Sequence, residues 1–130
     1  MILADTSIWI EMFRRGRFRA ELEGLIANDQ LSIHPYIAAE LACGFLPDRK
    51  NTLHYLDGLN QVLLVRLADV RLMIEARGLA SRGIGLTDAH LIASCLAVPG
   101  THVWTIDGAL GRVADLLGIR ATIPGRPEIR

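Results

Sequence analysis

Short apolar runs alternate along the chain with longer stretches in which apolar residues recur every three to four positions. Ile2–Ala4 reads as a short buried strand, followed by a helix from about Thr6 to Phe13. Leu22, Leu25 and Ile26 stand at helical spacing and predict a helix over Arg19–Asn28, and Leu31–Ile33 reads as a second strand. Pro35 suits the first turn of a helix that runs to about Phe45. Arg49–Leu59 and Leu67–Ser81 predict two more helices, with the apolar run Val62–Val65 between them as a third strand. Gly83-Ile84-Gly85 breaks the pattern, and Thr87 then suits the cap of a helix over Asp88–Ala97 that Pro99-Gly100 ends. Val103–Ile106 is a fourth strand. Leu110, Val113, Ala114 and Leu117 mark one face of the next helix, with Gly118 suited to its carboxyl-terminal cap. Ile119–Ile123 is a candidate last strand, and Pro124 onwards reads as a tail.

This alternation predicts an α/β fold, with a mainly parallel central sheet of four to five strands flanked by helices. At 130 residues the chain fits one domain, and a hydrophobic share of 51% excludes a disordered polymer. Basic and acidic residues balance at 14 each, so no global positive field announces a nucleic-acid-coating protein. A local patch remains compatible with this balance, and among the cations arginine, suited to bidentate phosphate contacts, greatly outnumbers lysine. No apolar run is long enough to span a bilayer, and Asp5 comes too early for a signal peptide. Cys43 and Cys95 lie in apolar helical patterns and form no metal-spaced pair, so both read as buried small hydrophobes of a cytoplasmic protein.

Four carboxylates stand out by position. Asp5 directly follows the first predicted strand and Asp107 the fourth, and in open parallel sheets ligands bind outside the carboxyl ends of the strands. Glu40 is the only formally charged residue between Asp29 and Asp48, and Asp88 the only one between Arg82 and Asp107. A carboxylate in apolar surroundings is costly to bury unless its charge is compensated, and four converging on one sheet end suggest a shared cation. An oxygen-only set without a histidine–cysteine pair favours Mg²⁺ or Mn²⁺. Each acid also has an ordinary reading. Asp5 can cap the following helix, Asp88 can complement a helix dipole, Asp107 can be a turn residue before Gly108, and Glu40 can face solvent.

Four segments carry a resemblance. Ile2-Leu3-Ala4-Asp5-Thr6-Ser7-Ile8-Trp9-Ile10 resembles the first motif of VapC-type PIN domains, in which an aspartate ends strand one and is followed by Thr or Ser. Ala39-Glu40-Leu41 with Gly44 is similar to the glutamate-bearing helix of that family. The run from Gly83 to Ser94, with Thr87-Asp88-Ala89-His90 at its centre, resembles the third motif, and Val103-Trp104-Thr105-Ile106-Asp107-Gly108-Ala109-Leu110 the fourth. The matches run in family order from Ile2 to about Ile119, and the pattern departs at Gly108, where close relatives often carry a basic residue. The resemblance implies one PIN-like domain over residues 1–130 and a metal-dependent endoribonuclease, the toxin of a type II toxin–antitoxin pair. It implies that Asp5, Glu40, Asp88 and Asp107 hold Mg²⁺ or Mn²⁺, with Thr6, Ser7 and Thr105 in support. Its expected partners are an RNA substrate, a VapB-type antitoxin covering the cleft, and a second copy in a homodimer.

Arg14, Arg15, Arg17 and Arg19 form the densest basic cluster and are candidates for RNA phosphates; a solvated loop or a contact for an acidic partner fits them as well. His90, near the acids, reads either as an RNA contact or as a surface or supporting histidine. Trp9 and Trp104 sit within apolar elements and read as core. The rival of another class is a PIN-fold binding module without activity, which a degraded acid motif would favour; all four are intact. An aspartate-nucleophile phosphatase wants a second acid where Ser7 stands, and a dinucleotide-binding fold wants a glycine-rich loop after strand one, which is absent.

Overall fold

In the computed structural model, which describes residues 1–123, a four-stranded parallel sheet carries seven helices. The elements are β1 (Ile2–Ala4), α1 (Thr6–Arg15), α2 (Arg19–Ala27), β2 (Leu31–Ile33), α3 (Pro35–Cys43), α4 (Arg49–Asp57) and β3 (Asn60–Gln61), followed by α5 (Leu67–Ala76), α6 (Leu86–Ala97), β4 (His102–Trp104) and α7 (Gly108–Leu116). The sheet order is β3-β2-β1-β4, with Leu3 opposite both Ser32 and Val103. The chain therefore winds outward from β1 through β2 to β3, then returns to add β4 on the other side of β1. The gap between β1 and β4 is the topological switch point at which open α/β sheets bind ligands.

The core wraps this sheet. Leu3, Ala4, Ile33 and Val103 are fully buried, and helix residues Ile8, Trp9, Ile37, Leu91, Ile92 and Leu110 close over them. Trp9 and Trp104 are both core residues, the latter edge-on to Phe18. Gly16 ends α1 in the left-handed region at φ 68°, where a side chain would strain the backbone. Gly83 also has positive φ, and a Cβ there would stand 3.2 Å from the Ala109 side chain, so the loop before α6 lies tightly against the start of α7.

The structure corrects several expectations. Val62–Val65 does not form the third strand. The ladder ends at Gln61, only the Val62 N–H continues it to the Ile33 carbonyl, and Leu63 and Leu64 are exposed. Ile119–Ile123 contributes an isolated bridge from Arg120 to Val103 rather than a strand. The α3 helix stops at Cys43, two residues short of Phe45, and α5 stops at Ala76, short of Ser81. Helix α6 starts at Leu86 with Gly85 as its cap, so Thr87 lies inside the first turn. Cys95 is buried as expected, and burial pushes its thiol up to about 12, but Cys43 is exposed. The expected tail from Pro124 lies outside the described residues. None of the described helices is long and apolar enough to cross a membrane.

Candidate active site

Asp5 leaves β1 at its carboxyl end and caps α1, its carboxylate accepting from the Ile8 N–H at 3.3 Å. It is buried, and three donors hold it. The Ser7 hydroxyl donates to one oxygen and the Thr105 hydroxyl to the other, each at 2.5 Å, besides the Ile8 amide. Ser7 Oγ in turn accepts from the Ile106 N–H at 3.2 Å, and Thr105 Oγ1 from the Asp107 N–H at 2.9 Å. The two hydroxyls thus stitch the loop after β1 to the loop after β4. Burial raises the Asp5 carboxyl above the usual range, and the hydrogen bonds from Ser7, Thr105 and Ile8 oppose that rise.

Asp107 follows β4 and caps α7 by accepting from the Leu110 N–H at 2.8 Å. Asp88, in the first turn of α6, reaches back to the Gly85 N–H at 3.3 Å. Its carboxyl is raised, first by burial and then by the charges of Asp107, Asp5 and Glu40, while the Gly85 bond lowers it. The other three acids therefore lie within electrostatic range of Asp88. Glu40 sits on α3 and is joined to α1 by the Thr6 hydroxyl, which donates to Oε1 at 3.4 Å.

The capping role expected of Asp5 is present, and Asp88 and Asp107, expected as a helix-dipole and a turn residue, each also accept a backbone N–H at a helix start. Burial is less uniform than isolation in the sequence suggests. Asp5 is buried and Asp88 half-buried, but Glu40 and Asp107 are exposed. Among the described residues no three acids, histidines or cysteines stand close enough together to hold a metal ion. The donor chemistry of the four acids is oxygen only, the kind a hard divalent cation takes.

The basic cluster divides. Arg15 and Arg17 pair with Glu11, at 2.7 and 3.7 Å, and Arg19 is exposed at the start of α2. Arg14 lines a groove that Glu40 also lines, and among the described residues it forms no ion pair. His90 is 1% exposed, packed against the rings of Tyr36 and His34, so its imidazole is not presented to a strand in solution. Two residues near the acids were missed. Phe45 stands 91% exposed on the same groove, a ring that a helix ending at Phe45 had hidden. Arg112, one turn after Gly108, brings its guanidinium to 3.2 Å from where a Cβ of Gly108 would stand, so a positive charge lies next to the position that carries none in the sequence. Its spacing of four residues from Gly108 on one helix was the available signal.

Comparison with known proteins identifies the family. The family model of the PIN domain matches residues 2–116. The chain is 38% identical over 110 residues to Ribonuclease VapC32 of Mycobacterium tuberculosis, in strains CDC 1551 / Oshkosh and ATCC 25618 / H37Rv alike, across 85% of this chain and 87% of the relative. With its parallel sheet, its acids at the β1–β4 switch point and a match over nearly the whole described chain, this protein belongs to the PIN-domain family.

Proposed function

We propose that this protein is an endoribonuclease dependent on Mg²⁺ or Mn²⁺ and the toxin of a type II toxin–antitoxin pair. The observation that carries the reading is geometric: Asp5 after β1 and Asp107 after β4 flank the switch point of the sheet, where the hydroxyls of Ser7 and Thr105 hold Asp5. A cluster of acids is unfavourable by itself and becomes favourable around a divalent cation, which Asp5, Glu40, Asp88 and Asp107 would hold. When bound, the ion supplies a water of lowered pKa and offsets charge developing on the phosphate. The chain's own residues do the rest. Ser7 and Thr105 hold Asp5 in one orientation, and Arg14 and Arg112 supply positive charge that lets a polyanion approach an acidic site.

The similarity to a ribonuclease named VapC supports RNA as the substrate and a VapB-type antitoxin as the partner that covers the cleft. We read the chain as one domain, working in the cytoplasm. A homodimer is part of the reading, supported by the exposed leucines Leu63, Leu64, Leu67 and Leu72 between β3 and the end of α5.

Asp5→Asn tests the reading. Asparagine preserves the shape and the helix cap but removes the charge. Cleavage of a panel containing cellular tRNA and rRNA should fall on the order of a hundredfold or more, with little loss of thermal stability. EDTA should abolish wild-type cleavage, and Mg²⁺ or Mn²⁺ should restore it. A variant that cuts as fast as wild type, or cutting indifferent to EDTA, would sink the mechanism.

A further inference from the structure

Glu40 has a second surrounding besides the acids. It lines a groove of about 330 Å³ between α1 and the segment after α3, walled by Ile10, Phe13, Leu41, Phe45 and Pro47, with Arg14 as the only cation among the described residues of the lining. The volume lies at the small end of ligand pockets, matched to one flat group rather than to a folded segment. Phe45 is the most exposed large apolar side chain among the described residues, at 91%, because α3 ends at Cys43 and the chain turns outward before Pro47. A ring left in water beside an apolar slot is poised to cover something flat. Single-stranded RNA is held by stacking unpaired bases on aromatic faces while cations take the flanking phosphates.

We propose that this groove is a nucleobase subsite. A base next to the scissile phosphodiester enters between Phe13 and Phe45, and Arg14, free of any ion pair among the described residues, meets the phosphate that follows. The inference rests on the ribonuclease reading and extends it from the acids to base recognition. Continuity supports this occupant. Glu40 borders the groove and also accepts the Thr6 hydroxyl, and Thr6 adjoins Asp5, so a strand whose base fills the slot and whose following phosphate meets Arg14 carries the phosphate on the base's other side towards the acids.

The test is RNA binding, read separately from cleavage. On an Asp5→Asn background, which spares the oligonucleotide, fluorescence anisotropy measures the Kd for a short single-stranded RNA and for versions with one abasic position each. Phe45→Ala should weaken binding of the intact RNA roughly tenfold to a hundredfold, and Phe45→Trp should recover it. One abasic position should cost the protein that retains Phe45 a similar factor and the Phe45→Ala protein little, since base and ring act as a pair. Equal Kd values with and without the Phe45→Ala exchange overturn the subsite, as does an abasic penalty that ignores the substitution. Loss of antitoxin binding in Phe45→Ala with RNA binding intact assigns the groove to the protein partner and also overturns it. A protein with Asp5 in place that shows the paired effect yet cuts no RNA with Mg²⁺ or Mn²⁺ keeps the subsite and sinks the ribonuclease reading, so the two failures are distinguishable.

Discussion

Helices α5 and α6 lie against each other and are of similar length, yet they are held in opposite ways. Helix α6 buries every residue from Ala89 to Cys95, under the sheet on one side and α5 on another. Helix α5 buries only Val70, with Met73 and Ile74 half-covered, and leaves Leu67 and Leu72 in solvent. A helix of ten residues gains little from local propensity and depends on packing, so α5 is the weaker of the two. The acid-bearing side belongs to the well-held part. Asp88 opens α6, and Ser7, Thr105 and Gly83 tie the loops around it. Packing is thus dense around α6, which carries Asp88, and sparse along α5.

A matched pair of truncations puts this contrast under the most strain. Ile92→Ala, in a fully buried position, should cost about 2–5 kcal/mol of stability, whereas Leu72→Ala should stay within about 0.5 kcal/mol in the monomer. Thermal or urea unfolding of both variants measures it, and similar losses would show that α5 is as firmly held as α6.

Acid provides the next test of the buried side. His34 caps α3 through Nδ1, which accepts from the Tyr36 N–H at 2.9 Å, and burial followed by the charge of His90 lowers its pKa from 6.5 to about 4. Its folded pKa lies below its unfolded one, so protons favour the unfolded chain. Stability is full above about pH 6.5 and falls as pH drops towards 4, by on the order of 3 kcal/mol for this group. His34→Asn keeps a capping acceptor and removes the titration, so its melting temperature should depend less on pH across that window. Some slope should remain, because burial also lowers His90. An unchanged slope would remove His34 from the account.

A more modest change should follow at the stitching hydroxyls. Thr105→Val keeps the shape but deletes a donor to Asp5 and an acceptor for the Asp107 N–H. It should slow RNA cleavage roughly tenfold, as loss of a group that orients a ligand does. A hydrogen bond that lowers the Asp5 carboxyl is also lost, so the acid limb of the rate profile should move to higher pH. A slower enzyme with an unmoved acid limb would mean that Thr105 acts through the fold and not through Asp5.

Most of the elements were legible from spacing, because a strand buried on both faces reads as a short apolar run and a covered helix as a 3.6-residue repeat. Ile2–Ala4, Leu31–Ile33 and the start of α3 at Pro35 follow that rule. The rule failed at Val62–Val65, because an apolar run says nothing about whether a neighbouring strand has backbone groups left to pair. At the sheet edge, β3 stops after two residues and the Leu63 carbonyl takes the Ser94 hydroxyl instead, at 2.6 Å.

The order of elements and the four acids beside them could be read from the chain alone, since strand ends, helix starts and isolated charges are local properties. Folding in three dimensions was needed to settle which acids are buried, that Ser7 and Thr105 grip Asp5 from two loops, and that Phe45 and Arg14 share a groove with Glu40. His90 is the plainest case, since its place near Asp88 in sequence suggested an accessible ring and packing against His34 and Tyr36 removed it from solvent. Burial and convergence depend on contacts between residues as far apart as 5 and 105, and no local pattern encodes a distance across the chain.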